Sequence, residues 1–143
     1  MKVCKFGGSS LANAEQLNKV MDIVLADPAR RIVVVAAPVK RHSGDTNVTD
    51  LLIALANTVI KGENSDRQLG AVVERYAEMA QSLELGDEII ERIAADLKER
   101  IAKARELSEP EFMDLMKAAG EDNNAKLVAE AFCARGKKAR YAS

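Results

Sequence analysis

The sequence predicts an α/β fold of three layers, in which helices cover both faces of a mostly parallel sheet. A short apolar strand, two glycines, a helix and a second strand follow one another within the first forty residues, which is the order of a right-handed β-α-β crossover unit. The second strand is the uninterrupted apolar run 32–37, which is typical of a strand buried on both faces. Helical patterns fill most of the remaining chain, so we expect a truncated, helix-rich form of this architecture.

The first helix is predicted from Asn13 to Ala26. Asn13 and Gln16 have the spacing of a capping box, in which each side chain bonds a free backbone N–H of the first turn. Apolar residues then recur at helical spacing until Asp27 and Pro28 end the pattern.

A polar loop, residues 38–47, leaves the carboxyl end of the second strand. Ligands bind at this end of the strands in open parallel sheets, so the loop is a candidate wall of a binding site. A helix is predicted after it, from Val48 to Gly62, with Asn47 as its cap.

The stretch 63–118 shows helical patterns and no strand signal. Its two apolar stripes fall within 69–80 and 89–101, and charged pairs four residues apart lie on the wet side of the second. A capping box at Ser108 and Glu111 then starts a further helix.

The polar segment 118–126 predicts a break between that helix and a last one, which ends at Gly136. Residues 138–142 are predicted to begin a new strand. A strand at this point leaves the sheet unfinished, and an unfinished sheet edge is open to pairing.

Composition excludes several classes of function. The 143 residues include 21 basic and 22 acidic side chains and only 3% aromatic residues, so neither nucleic acid nor an anionic membrane is an expected partner. No apolar run is long enough to span a membrane, and no cleavable signal is visible, so the expected location is the cytoplasm. Cys4 and Cys133 have no metal or disulfide spacing, and we expect both to be reduced core thiols.

The first strand ends in Lys5-Phe-Gly-Gly-Ser-Ser10, which has the chemistry of a phosphate site. Gly7 and Gly8 permit a tight turn that brings bare N–H groups to a ligand, and a following helix points its positive end at the same place. Lys5 adds a charge and Ser9 a hydroxyl donor. The spacing matches neither a Walker A loop nor a dinucleotide fingerprint. From these residues alone, a plain strand-to-helix turn with a solvated Lys5 remains an equal alternative.

Three segments together resemble the amino acid kinase family, and aspartokinases in particular. They are the opening motif 5–10, the strand, loop and helix start within 33–52, and Ala119-Gly-Glu-Asp122 ahead of an amphipathic helix. Their order and spacing agree with the amino-terminal part of an aspartokinase. We therefore expect residues 1–143 to be the amino-terminal portion of a single kinase domain, with the rest of that domain and the regulatory domains absent.

The resemblance implies that the side-chain carboxylate of L-aspartate attacks the γ-phosphate of ATP and gives 4-phospho-L-aspartate, the first step toward lysine, threonine and methionine. ATP is then the cofactor, with Mg²⁺ expected beside it. Lys5 is implied as the catalytic residue, against the transferred phosphoryl group. Gly7 and Gly8 are implied as N–H donors to the phosphate, and Ser9 stands near the same group.

For the substrate L-aspartate, the resemblance implies Thr49 and Glu121 as binding residues. The Glu121 carboxylate would pair with the α-ammonium group, a charged hydrogen bond that selects an amino acid. No protein metal ligands are implied. Ala36 departs from the family pattern, because a substrate-contacting serine is expected there. The nucleophile is itself an ionised carboxylate, so no general base is needed, and the single histidine, His42, is expected to be an exposed loop residue.

Other functions remain open at this stage. The chain is also compatible with another amino acid kinase, acting on glutamate, on acetylglutamate or on a nucleotide. A third alternative is a catalytically inactive fragment that assembles with a partner or with itself through an exposed sheet edge. We expect a homo-oligomer, and we expect this chain alone to be inactive, because most nucleotide contacts of the family lie outside the three segments.

Overall fold

A computed structural model describes all residues 1–143. The elements in chain order are β1 (Lys2–Phe6), a 3-10 turn (Gly8–Leu11), α1 (Ala14–Leu25), β2 (Arg30–Val35), α2 (Val48–Ile60), α3 (Asp66–Ser82), α4 (Glu88–Ala102) and α5 (Glu109–Ala134). The predicted α/β class, helix-rich with a small parallel sheet, is confirmed.

The sheet consists of β1 and β2, which run parallel and are joined by α1. The register places Lys5 opposite Val34 and Phe6 opposite Val35. The predicted β-α-β unit is therefore present. Backbone pairing continues past the strand ends, because the N–H of Ala36 donates to the carbonyl of Phe6 at 3.3 Å.

The two faces of the sheet differ in burial. Val33 and Val35 of β2 face the core, where α1 and α5 pack against the strand. On the other face Val3, Ile32 and Val34 are 63%, 45% and 44% exposed. Within residues 1–143 helices thus cover one face of β2, whereas its apolar sequence had predicted cover on both.

The core lies mainly among the helices. Twenty-five buried apolar residues form one cluster, in which α5 packs against both α2 and α4. The predicted stripes of α3 and α4 supply Val72, Tyr76, Ile89, Ile93 and Leu97 to this cluster. Burial of each such side chain stabilises the fold by about 1.5–3 kcal/mol.

The caps at Asn13 and Ser108 are confirmed, but the reciprocal bond predicted from the Gln16 side chain is absent, and the cap at Asn47 is wrong. The Asn13 side chain accepts from the N–H of Gln16 at 2.9 Å, and Ser108 and Glu111 form the reciprocal capping box. Asn47 precedes α2, but its side chain makes no bond to that helix. Its Oδ1 accepts instead from the N–H of Lys40 at 2.8 Å, which closes the 38–47 loop.

The predicted break at 118–126 is wrong, because α5 continues through it as one helix of 26 residues. Gly120 and the asparagines 123 and 124 resemble turn residues in sequence but are fully or almost fully buried here. The Asn123 amide donates to Asp96 at 2.9 Å, and the Asn124 amide donates to the carbonyl of Ala36 at 2.7 Å. These bonds engage the NH2 groups of both amides outside their own backbone, so the side chains do not compete for a turn, although the buried Asn124 Oδ1 has no hydrogen-bond partner.

The strand predicted at 138–142 is also absent, because this segment pairs with neither β1 nor β2. It packs on α5 instead, where the Lys126 ammonium lies 5.3 Å from the Tyr141 ring centre. Both cysteines are free, as expected, but Cys133 is exposed and Cys4 only half-buried, so the prediction that they are core thiols is wrong. No helix has the length and apolar character needed to cross a membrane.

Candidate functional site

The glycine pair lies where β1 ends and the 3-10 turn begins. Gly7 has an extended backbone with φ −77° and ψ 168°, and its carbonyl accepts from the N–H of Ser10 at 3.2 Å. The longer helix α1 starts only at Ala14. The prediction that the helix points its positive end at the glycines is therefore wrong, because α1 begins six residues beyond Gly8.

The two glycines have different surroundings. A Cβ on Gly8 would lie 2.3 Å from Cγ1 of Val39 and 2.8 Å from the carbonyl oxygen of Ala37. Gly8 is thus required for close packing of the 38–47 loop against the turn. A Cβ on Gly7 would meet no atom within 4 Å, so this side of the turn is open to a ligand.

Ala37 is the point where the walls of the candidate site meet. Its carbonyl abuts Gly8, and its methyl group lies 2.8 Å from the place that a Cβ on Gly120 would occupy. Val48, the first residue of α2, also lies beside Gly120, with its Cγ1 3.7 Å from the same place. The glycine turn, the end of β2, the start of α2 and the middle of α5 therefore converge here.

Three of the four polar residues proposed from the sequence, Ser9, Thr49 and Glu121, directly follow residues of this junction, whereas Lys5 lies two residues before Gly7. Lys5, Ser9 and Glu121 are exposed and Thr49 is half-buried. None of the four side chains makes a hydrogen bond or an ion pair within the chain. Lys5 lies on the uncovered face of the sheet, opposite Val34. These groups are available to a ligand.

The loop wall is held by an internal ion pair. Asp45 accepts from the backbone N–H of Arg41 at 3.0 Å and from its Nε at 2.6 Å. The hydrogen bond from the Arg41 side chain holds the pKa of the Asp45 carboxyl well below its usual range. Arg41 also bonds Glu78 of α3, so the loop is tied to that helix. His42 at the loop tip is exposed, as expected.

Sequence reasoning missed three residues that hold the walls together. Arg75 on α3 donates to two carbonyls of the loop, Tyr76 donates to Gly120 of α5, and Asn124 joins α5 to the end of β2. Arg75 carries a signal that could have found it. It lies three residues after Val72 and four before Met79, so an arginine interrupts the apolar face of α3. A buried guanidinium must have partners.

The free groups fit a phosphate-bearing ligand. Gly7 has open space beside its backbone, Ser9 has an unpartnered hydroxyl, and Lys5 has an unpartnered ammonium group. No group of three or more His, Cys, Asp or Glu side chains is arranged to hold a metal ion. Glu121 follows Gly120 directly, and its carboxylate is exposed.

Comparison with known proteins identifies the class. The model of the amino acid kinase family matches residues 1–143, and the chain therefore belongs to this family. Within it, the chain is 52% identical over 142 residues to aspartokinase 3 of Bacillus subtilis. The alignment covers 99% of this chain and 31% of that protein. It is 38% identical over 65 residues to lysine-sensitive aspartokinase 3 of Escherichia coli. This alignment covers 46% of this chain and 13% of that protein.

Solved structures agree with this assignment. The aspartate kinase of Clostridium acetobutylicum superimposes with a TM-score of 0.75 at 30% identity, over 90% of this chain and 28% of that one. Aspartokinase III of Escherichia coli, in complex with aspartate and ADP, gives a TM-score of 0.71 at 30% identity, over 94% of this chain and 29% of that one. The predicted resemblance to aspartokinases is confirmed, and the chain spans less than a third of each of these proteins.

Proposed function

We propose that this chain carries the phosphate-binding and aspartate-binding walls of an aspartate kinase, which phosphorylates the L-aspartate side chain to 4-phospho-L-aspartate. The observation that carries the proposal is the convergence near Ala37 of three elements: the glycine turn, the start of α2, and the part of helix α5 that contains Gly120 and Glu121. The bound aspartate and ADP of the Escherichia coli structure support this choice of ligands.

On the nucleotide side, ATP supplies the transferred phosphoryl group and Mg²⁺ accompanies its phosphates. The open backbone of Gly7 and that of Gly8 donate N–H groups to phosphate oxygens, and Ser9 adds its hydroxyl. Lys5 is the catalytic residue, because its free ammonium group offsets the negative charge that develops on the transferred group. Catalysis of this kind needs positioning and charge more than covalent help from the protein.

On the acceptor side, Thr49 and Glu121 hold L-aspartate. The exposed Glu121 carboxylate has no partner within the chain and is suited to the α-ammonium group. Thr49 lies in the first turn of α2 and offers a hydroxyl to a substrate carboxylate. The aspartate side chain is ionised at neutral pH and attacks without a general base.

We further propose that residues 1–143 form the amino-terminal portion of a kinase domain, and that this portion alone is inactive. Support comes from its coverage of 31% of the Bacillus subtilis relative. The reaction would belong to the synthesis of lysine, threonine and methionine in the cytoplasm, in a homo-oligomer. The uncovered apolar face of the sheet favours one alternative, a non-catalytic module that assembles through this face.

The test measures ATP-dependent acyl-hydroxamate formation with L-aspartate, L-glutamate and acetylglutamate offered separately. Calorimetry with ATP and with L-aspartate runs beside it, because binding can persist without turnover. Binding of both ligands without turnover supports both proposals. Turnover of aspartate alone would support the choice of substrate but contradict the proposal that this portion is inactive. Preference for glutamate or acetylglutamate would reassign the substrate. Binding of neither ligand by the folded chain would leave the assembly module as the better account.

A further inference from the structure

The guanidinium group of Arg75, on α3, joins the two ends of the 38–47 loop. Its two terminal nitrogens donate to the carbonyl of Thr46 at 2.6 Å and to the carbonyl of Val39 at 3.0 Å. The Asp45 carboxylate lies 3.5 Å from the same group. Arg75 is only 6% exposed, so these partners replace the water that a charged group otherwise needs.

Each of the two carbonyls leads to a different wall of the site. The N–H of Val39 donates to the carbonyl of Gly8 at 3.5 Å, and the Val39 side chain fills the space beside that glycine. Thr46 precedes Asn47 and the first turn of α2, in which Thr49 lies. One side chain therefore connects the glycine turn and the start of α2.

We propose that Arg75 is the positioning residue that sets the glycine turn and Thr49 in register with each other. The effect of Arg75 on ligand binding rests on the proposed function, whereas its bonds to the 38–47 loop do not. Arg75 touches neither ligand; it acts through the backbone of Val39 and Thr46. Its planar fork reaches both carbonyls at once, which a lysine ammonium group on a flexible stem does not reproduce.

The test compares Arg75→Lys with the control Ile93→Val. Ile93 is fully buried in α4, away from the loop, so the control loses stability by removal of one methyl group and leaves the loop contacts in place. A third variant, Arg92→Lys, changes an exposed arginine that pairs with Glu130 at 3.5 Å. All are studied well below their melting temperatures, so that each is fully folded.

The first readout is amide hydrogen exchange of the individual N–H groups of Val39 and Val48. The Val48 N–H donates to the carbonyl of Pro38 at 3.1 Å, so both amides report whether the loop is closed. Arg75→Lys should speed their exchange by about tenfold or more, as expected for loss of a hydrogen bond to a charged group. Exchange in the middle of α4 should be unchanged, and both controls should leave the loop amides unaffected.

The second readout is the affinity for ATP and for L-aspartate by calorimetry. Arg75→Lys should weaken the binding of both by about tenfold, while Ile93→Val and Arg92→Lys should not. Unchanged loop exchange in Arg75→Lys, or equal weakening by Ile93→Val, would overturn the positioning role. If the unmodified chain binds neither ligand, the proposed function fails, and the exchange comparison alone decides whether Arg75 holds the loop.

Discussion

The hydroxyl of Tyr76 donates a hydrogen bond of 2.8 Å to the carbonyl oxygen of Gly120, and both residues are buried. The bond joins α3 to the turn of α5 that carries Glu121. The residue before it, Arg75, bonds the loop on the opposite wall. Two consecutive residues of α3 thus hold both walls of the candidate site, although neither contacts it.

Tyr76→Phe should lower the free energy of unfolding by about 1 kcal/mol, because it removes a buried donor and leaves the ring packing intact. Burial also raises the pKa of the Tyr76 hydroxyl, so the folded state keeps this proton where the unfolded chain loses it near pH 10. The stability of the unmodified protein should therefore fall above about pH 10, and less steeply in Tyr76→Phe. Urea denaturation between pH 8 and 11 measures both effects. An equally steep loss of stability with pH in the unmodified protein and in Tyr76→Phe would refute the role of the Tyr76 proton.

Gly8→Ala and Gly7→Ala should behave differently although the residues are adjacent. The new Cβ on Gly8 would overlap Val39 and the Ala37 carbonyl, so this variant should lose about 1–3 kcal/mol of stability and bind ATP weakly. Gly7→Ala adds a methyl group to open space and should keep its fold. Thermal denaturation separates the two; an equally stable Gly8→Ala would mean that the loop is not packed against the turn.

Gly120→Ala offers a second contrast, with Gly70→Ala as its control. Both glycines lie inside helices, where alanine is favoured by about 1 kcal/mol. Gly70 has open space, so its substitution should stabilise the protein by about that amount. The Cβ of the Gly120 variant would lie 2.8 Å from that of Ala37, so this substitution should destabilise the protein instead. Stabilisation by both variants in urea denaturation would contradict the close approach of α5 to β2.

Asp45 should make the protein sensitive to acid. Its folded-state pKa is lowered, so its stabilising effect is present above the unfolded pKa of about 4 and is lost as the pH falls below it. Asp45→Asn should be less stable at pH 7 and lose less stability between pH 5 and 3. Asp114→Asn, at an exposed position of α5 without an ion pair, serves as the control for denaturant titrations at these pH values. Parallel acid profiles for the Asp45 variant and the unmodified protein would exclude this role.

Lys5→Ala and Glu121→Gln should affect different steps of the proposed reaction, measured in an active enzyme that contains these residues. Lys5→Ala should lower turnover by about a hundredfold or more and change the aspartate half-saturation little, because the lost ammonium group stabilises charge in the transition state. Glu121→Gln should raise the aspartate half-saturation about tenfold through loss of a charged hydrogen bond. Hydroxamate kinetics with varied aspartate distinguish them; unchanged turnover in Lys5→Ala would remove it from the chemistry.

The parts of the fold that were predictable depend on neighbours in sequence. The caps at Asn13 and Ser108 and the β-α-β order are local patterns, and the structure contains them. The failures come from residues whose partners are distant. Asn123 and Asn124 favour a turn in isolation, but their bonds to Asp96 and to Ala36 keep them in a helix.

The candidate site shows the same division. The glycine turn and Glu121 were found from motifs, whereas Arg75 and Tyr76 act across 29 and 44 residues of sequence. Spacing also could not separate Gly7 from Gly8. Gly7 has open space beside it, whereas Gly8 is in close contact with Val39. This difference arises only when the 38–47 loop packs against the turn.

The order in which the chain is synthesised gives the position of α5 a further consequence. Val33 and Val35 of β2 are made early, but the helix that packs against them, and that bonds Ala36 through Asn124, ends at Ala134. At about 5–20 residues per second, roughly 5–20 s pass on the ribosome before this partner is complete. During that interval both faces of the nascent β-α-β unit lack part of their cover, so the emerging chain is most prone to aggregation before α5 appears.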